Sequence, residues 1–215
     1  MEFCFYLITD RKLVPKGKTL EQALETAFAA GVKGVLLREK DLPDVELVPL
    51  ARRVRDLTLR YDVKMLVSAR PDIAAMVGAD GVHLTSGAKA SDVKSARDLL
   101  GDERYIAVST HSLEEAHTAE DEGADFLAFG PVFKTPSKER YGKPMGLDAL
   151  EEVCRMVHIP VFALGGIKTE NVVEVIERGA FGIAVISAVF GAKDPALAVN
   201  TIMDIIRSYR MGRCV

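Results

Sequence analysis

Gly78-Ala79-Asp80-Gly81-Val82-His83-Leu84 compresses the end of a helix, a two-residue joint and a short buried strand into seven positions. The same joint recurs as Gly31-Val-Lys-Gly34, Gly123-Ala-Asp-Phe126 and Gly179-Ala-Phe-Gly182, each time leading from a helix into an even-numbered strand. The echo therefore returns every second strand–helix unit, which makes the chain a regular alternation rather than a patchwork.

Working outward from these joints, short apolar runs alternate with helical patterns from end to end, as a parallel sheet wrapped by helices requires. The spacing predicts strands at Phe3 to Thr9, Gly34 to Arg38, Lys64 to Ser68, Gly81 to Leu84, Arg104 to Thr110, Phe126 to Phe129, Val161 to Leu164 and Gly182 to Ile186. Most are nearly all apolar, the pattern of strands covered on both faces. Thr19 with Gln22, and Ser112 with Glu115, have capping-box spacing at helix starts, while Gly31 and Gly123 can close the same helices in the left-handed conformation. Pro49 falls early in the second helix and is expected to bend or shorten its first turn. Eight regular units without a switch point favour the α/β class and a closed (βα)8 TIM barrel, a single domain over residues 1–215, above a doubly wound open sheet.

Composition narrows the partners. The formal charge of −3 comes from 28 basic and 31 acidic residues with no long block of either sign, so the footprint of a nucleic-acid binder is absent and a small molecule is expected. No apolar run is long enough to span a membrane, and the opening MEFCFYLITDRK reaches charge too soon for a signal peptide, which predicts a cytoplasmic protein. Cys4, Cys154 and Cys214 are far apart and form no metal-binding or redox pair, so they read as plain thiols. Oligomeric state is left open.

In such barrels the chemistry sits on the loops after the strands, and the tips of the last two strands commonly receive phosphate. Here those tips carry Gly165, Gly166, Ile186 and Ser187, where glycines permit close approach of backbone N–H groups and a short helix after strand eight can add its dipole. The bland alternative is a tight turn. The loop after strand six, GPVFKTPSKERYGKPMG, presents Thr135, Ser137 and Lys138, two hydroxyls and an ammonium suited to phosphate oxygens, or else an ordinary solvated turn. Arg38-Glu39-Lys40 after strand two offers two cations for a second anionic group, unless Glu39 simply holds Arg38 in an ion pair. Ser109, with His83 and His111 around it, supplies polar groups at strands four and five. Either imidazole can serve as acid or base, though a hydrogen-bonded structural role is the commoner one.

YLITD, LREK, GADGVHL, STHS, FGPVFKTPSK, ALGGI and VISAVF, in this order on successive strands, resemble thiamine phosphate synthase and its TenI-like relatives over essentially the whole chain. The resemblance implies a ligand that is a phosphorylated thiazole, with Thr135, Ser137, Lys138, Gly166, Ile186 and Ser187 at the family's thiazole-phosphate and diphosphate positions. It also implies a magnesium ion in the synthases, in which the thiazole nitrogen displaces diphosphate from an aminopyrimidine. This chain departs from that pattern. Ser68-Ala69 stands in place of Asn-Asp after strand three, Ala88 falls where a further Asp is expected after strand four, and Leu36 replaces a Gln before Arg38. Asp72 and Asp92 fall on predicted helices and make poor substitutes. The segments LTSGAKASDVK and STHSLEEA look more like the TenI branch, to which thiazole tautomerisation is assigned, yet Pro131 occupies the place of that branch's His.

Three expectations follow, in this order. The first is a TenI-like isomerase of thiazole phosphate, with Lys138 and His111 as catalytic groups, Arg38, Lys40, Ser109, Thr135, Ser137, Gly165, Gly166, Ile186 and Ser187 as binding groups, and no metal or other cofactor. The second is a divergent thiamine phosphate synthase using magnesium, and the third a non-catalytic thiazole-phosphate binder. A barrel isomerase acting on an indole or anthranilate ribose phosphate is a distant fourth.

Overall fold

The computed structural model describes residues 1–135 and 143–212. Eight strands follow one another in chain order: β1 Phe5–Ile8, β2 Gly34–Leu37, β3 Lys64–Ser68, β4 Gly81–Leu84, β5 Tyr105–Thr110, β6 Phe126–Phe129, β7 Val161–Leu164 and β8 Gly182–Val185. All pair in parallel with their sequence neighbours, and β8 pairs with β1 through Tyr6↔Ala184 and Leu7↔Val185, so the sheet closes into a barrel. Around it run α1 Leu20–Ala29, α2 Asp44–Tyr61, α3 Pro71–Val77, α4 Ala90–Leu100, α5 Leu113–Asp121, α6 Gly146–Met156, α7 Val172–Glu177, the short α8 Ser187–Phe190 and α9 Pro195–Gly212. Among the described residues no helix is long and apolar enough to cross a membrane.

Alternation along each strand splits the core in two. Tyr6, Ile8, Leu36, Leu66, Phe126 and Phe162 point into the barrel, while Phe5, Leu7, Val35 and Leu37 point out against the helices. The inner set includes an aromatic plug at the N-terminal end, where Phe3 and Phe162 have ring centroids 5.5 Å apart and Phe126 and Phe162 5.2 Å apart. Close approach of the plug or of a neighbouring strand explains the second glycine in two of the joints that carry one. A Cβ at Gly34 would lie 2.4 Å from the Phe3 ring, and one at Gly81 only 2.1 Å from the Tyr105 carbonyl oxygen. The aspartates of two joints do parallel work. Asp80 accepts from the Met65 N–H and Arg55, and Asp125 from the Ile106 N–H and Arg97, tying helix, joint and neighbouring strand together at the end away from the strand tips.

The Thr19–Gln22 capping box forms in both directions. The Ser112–Glu115 box forms only halfway: Ser112 accepts from the Glu115 N–H, but the Glu115 carboxylate turns to the His111 N–H at 2.7 Å. Pro49 is also placed differently from the expectation. It lies in the interior of α2, whose N-cap is Pro43, so the helix starts earlier than the sequence pattern indicates.

Candidate active site

Residues from the C-terminal tips of the strands enclose a cavity of about 170 Å³, sized for a small heterocycle rather than a macromolecule. One wall is backbone. Gly165 and Gly166 follow β7 with φ of +94° and +68°, values natural to glycine. A Cβ on Gly165 would come within 2.6 Å of Pro131, and one on Gly166 within 2.7 Å of the Phe133 Cβ and 2.8 Å of the Lys134 carbonyl oxygen. The pair thus seats the segment after β6, which is stitched down by Val132 N–H to Leu164 O and Phe133 N–H to Gly165 O. Asn171 donates to the Gly166 carbonyl at 3.0 Å and accepts from the Lys168 N–H, holding the turn. Ile186 and Ser187 adjoin the glycines, and as the first residues of α8, Ser187 and Ala188 have N–H groups with no acceptor inside the helix.

The facing wall is made of side chains. Arg38 and Lys40 both line the cavity, and Arg38 is set in place by its N–H donating to Thr9 Oγ1 at 2.9 Å. Glu39 between them is buried and faces away, where Arg11 donates to it from both backbone N–H and guanidinium, at 3.1 and 3.0 Å. Arg11 also grips Asp41 at 2.6 Å, and the hydrogen bonds it donates to Asp41 and then Glu39 raise the guanidinium's already high pKa further. The carboxylate that the sequence sets beside Arg38 is therefore engaged by Arg11.

At the floor, His83 bridges Tyr6 and Ser109, with Nδ1 3.2 Å from the Tyr6 hydroxyl and Nε2 2.9 Å from Ser109 Oγ. Burial, helped by the charge of Arg38, pushes His83 down to about 3, so its ring is neutral at ordinary pH. His111 is elsewhere. It is not among the residues lining the cavity; its Nδ1–H donates to the Gly130 carbonyl and its N–H to Glu115, a strap between the β5 and β6 tips.

The fold brings Arg38, Lys40, Ser109, Thr135, Gly165, Gly166, Ile186 and Ser187 to one cavity. Ser137 and Lys138 lie outside the described residues. Sequence reasoning missed Asp10, Thr85 and Ser86, which also line it. Asp10 is the only carboxylate of that lining among the described residues, and it accepts from the Lys12 N–H at 3.1 Å to cap a single turn over Arg11–Leu13. Its place at the tip of β1 was the available signal. Leu36 reaches the cavity as an apolar patch on the side-chain wall.

Among the described residues the β3 and β4 tips hold no carboxylate for a divalent metal. A hard cation draws on converging oxygens with at least one or two carboxylates. The β3 and β4 tips offer the hydroxyls of Ser68, Thr85 and Ser86 beside Ala69 and Ala88. Among the described residues no three His, Cys, Asp or Glu side chains gather at a possible metal site. Asp72 is paired with Arg70 on α3, and Asp92 accepts from the Lys89 N–H at the start of α4.

Residues 5–189 match the family model described as thiamine monophosphate synthase. The chain belongs to the thiamine monophosphate synthase family. A Geobacter sulfurreducens relative that carries the thiamine-phosphate synthase name provisionally is 46% identical over 206 residues, covering 96% of this chain and 95% of its own. The Moorella thermoacetica thiamine-phosphate synthase is 40% identical, covering 95% and 96%. The solved thiamine phosphate pyrophosphorylase of Pyrococcus furiosus superposes with a TM-score of 0.85 at 36% identity, over 96% of both chains. Membership of the family brings the thiamine-biosynthetic context with it and leaves the reaction to be argued from the cavity.

Proposed function

We propose that this chain is a thiamine phosphate synthase that joins a phosphorylated thiazole to an aminopyrimidine diphosphate. The observation that carries this reading is the pairing of two anion-attracting walls in one cavity, the backbone of Gly166 and Ser187 on one side and Arg38 and Lys40 on the other. A one-substrate isomerase needs only one such wall. The thiazole phosphate docks on the β7–β8 wall, and Arg38 and Lys40, with Lys138 and the hydroxyls of Thr135 and Ser137 from the loop after β6, hold the diphosphate.

The bond changes suit what the cavity contains. The thiazole nitrogen uses its lone pair to bond the pyrimidine methylene carbon, the carbon–oxygen bond to diphosphate breaks, and the departing oxygen keeps the electron pair. No proton need be removed from carbon. Tautomerisation does require that removal, and of the two imidazoles expected to serve, His83 is a poor base and His111 is absent from the cavity wall. Cations that neutralise the leaving group and an apolar wall at Leu36 that excludes water are the contributions this chain can make. Because the described β3 and β4 tips hold no carboxylate, no step is routed through magnesium.

A second reading, binding without transfer, is favoured by the alanines at 69 and 88. Incubating the protein with thiazole phosphate and aminopyrimidine diphosphate, with and without magnesium, and following products by mass and NMR separates the readings. Thiamine phosphate is the expected product. Interconversion of thiazole isomers without it would establish the isomerase instead, and tight thiazole phosphate binding with neither reaction would leave a carrier or sensor.

A further inference from the structure

The floor of the cavity carries a chain of three side chains whose hydrogens can be counted. Tyr6 is fully buried, and among the described residues its hydroxyl bonds only to His83 Nδ1. His83 is 3% exposed and spends its other nitrogen on Ser109. Its ring lies parallel to Tyr6, at 10° with centroids 5.7 Å apart, and perpendicular to Phe126 at 90° and 6.3 Å. The imidazole is thus fixed by packing on two sides and by a bond at each nitrogen.

A buried phenol proton must find an acceptor, and burial keeps that proton on Tyr6 by holding its pKa well above the ordinary value. The one acceptor within reach is Nδ1, which must therefore be bare. A neutral imidazole has a single N–H, so that hydrogen is on Nε2 and donates to Ser109 Oγ. Ser109 then accepts from below, and its own proton is free to turn toward the cavity that it lines.

We propose that Tyr6 and His83 are positioning residues that set the polarity of Ser109, presenting its hydroxyl to the cavity as a hydrogen donor so that the centre takes a ligand acceptor atom such as a diphosphate oxygen. The inference deepens the proposed transfer and rests on it for the ligand, whereas the tautomer stands independently of any turnover.

The test uses the whole chain labelled with ¹⁵N-histidine, the His83 resonances being those lost in His83→Gln. The expected spectrum has a bare Nδ1 and a protonated Nε2, unchanged through the range in which an exposed imidazole titrates. Tyr6→Phe, which keeps the ring packing, should move the Nδ1 resonance to that of a lone pair without a donor. Inorganic diphosphate is the binding probe: Ser109→Ala should weaken its binding about tenfold, as loss of one hydrogen bond to a charged group does. His83→Leu should weaken it equally, the double variant no further, and His83→Gln, which restores an N–H, should recover most of it. An Nδ1–H tautomer, titration in the ordinary range, or wild-type diphosphate affinity in His83→Leu would overturn the proposal. Failure to form thiamine phosphate, with these results intact, would count against the transfer alone.

Discussion

The two walls of the cavity are made of different material. On the β7–β8 side the cavity is walled by backbone, and the glycines there also seat the segment after β6, so cavity wall and packing share the same residues. On the β2–β4 side the groups are side chains at the strand tips, and there Leu36, Ala69 and Ala88 stand where the resemblance implies polar residues. A wall built from backbone is hard to alter without disturbing the fold, whereas side-chain tips can be exchanged while the barrel stands.

The sharpest break in that contrast would come from Gly166→Val. A branched side chain at φ +68° meets Phe133 and Lys134 before it meets ligand, so thermal stability and thiazole phosphate binding should fall together. The expected loss of affinity is at least about a hundredfold, roughly 3 kcal/mol, by calorimetric titration. A variant with lowered affinity and an unchanged unfolding midpoint would separate the two functions assigned to this glycine.

Arg38→Ala probes the other wall. Removing one charge-assisted contact should weaken inorganic diphosphate binding by about 10- to 100-fold, with thiazole phosphate affinity and the unfolding midpoint nearly unchanged. Equal losses for both ligands would mean that the walls are not separate stations. Restoring carboxylates is the converse experiment. Ala69 sits at φ +55°, a left-handed conformation in which Asp is more at ease than Ala, so the backbone at the β3 tip still suits the family's residue. Ala69→Asp with Ala88→Asp should make diphosphate binding magnesium-dependent, with an increase of about tenfold on adding the metal as a charge-assisted contact is gained. No response to magnesium would show that the wall has changed in shape as well as in its ligands.

The smallest effect on ligand affinity is expected from His83→Gln at the floor between the walls, and stability is its readout. His83 has an ordinary value of 6.5 and is held at about 3 by burial, so as pH falls from the first value toward the second the unfolded chain takes up a proton that the folded one refuses. Stability should decline across that window, and His83→Gln should flatten this part of the slope, as chemical unfolding at a series of pH values would show. An unaltered slope would mean that other groups set acid stability there.

The barrel was legible in the sequence because joints such as Gly78–Gly81 repeat and because its strands are buried on both faces; strand ends differ from expectation by two residues or fewer. The place of Gly165-Gly166 and Ser187 on the cavity lining was legible for the same local reason, since they mark strand tips. What stayed hidden depended on partners distant in sequence. Arg11 reaches across 28 residues to take Glu39, and Tyr6 across 77 to meet His83, so neither pairing has a local pattern. The bond from His111 to the Gly130 carbonyl, 19 residues on, likewise has no local pattern.

The aromatic plug of Phe3, Tyr6, Phe126 and Phe162 closes the barrel below the floor. A vessel sealed at its base has one mouth, so any molecule that reaches Ser109 enters and leaves past the strand tips.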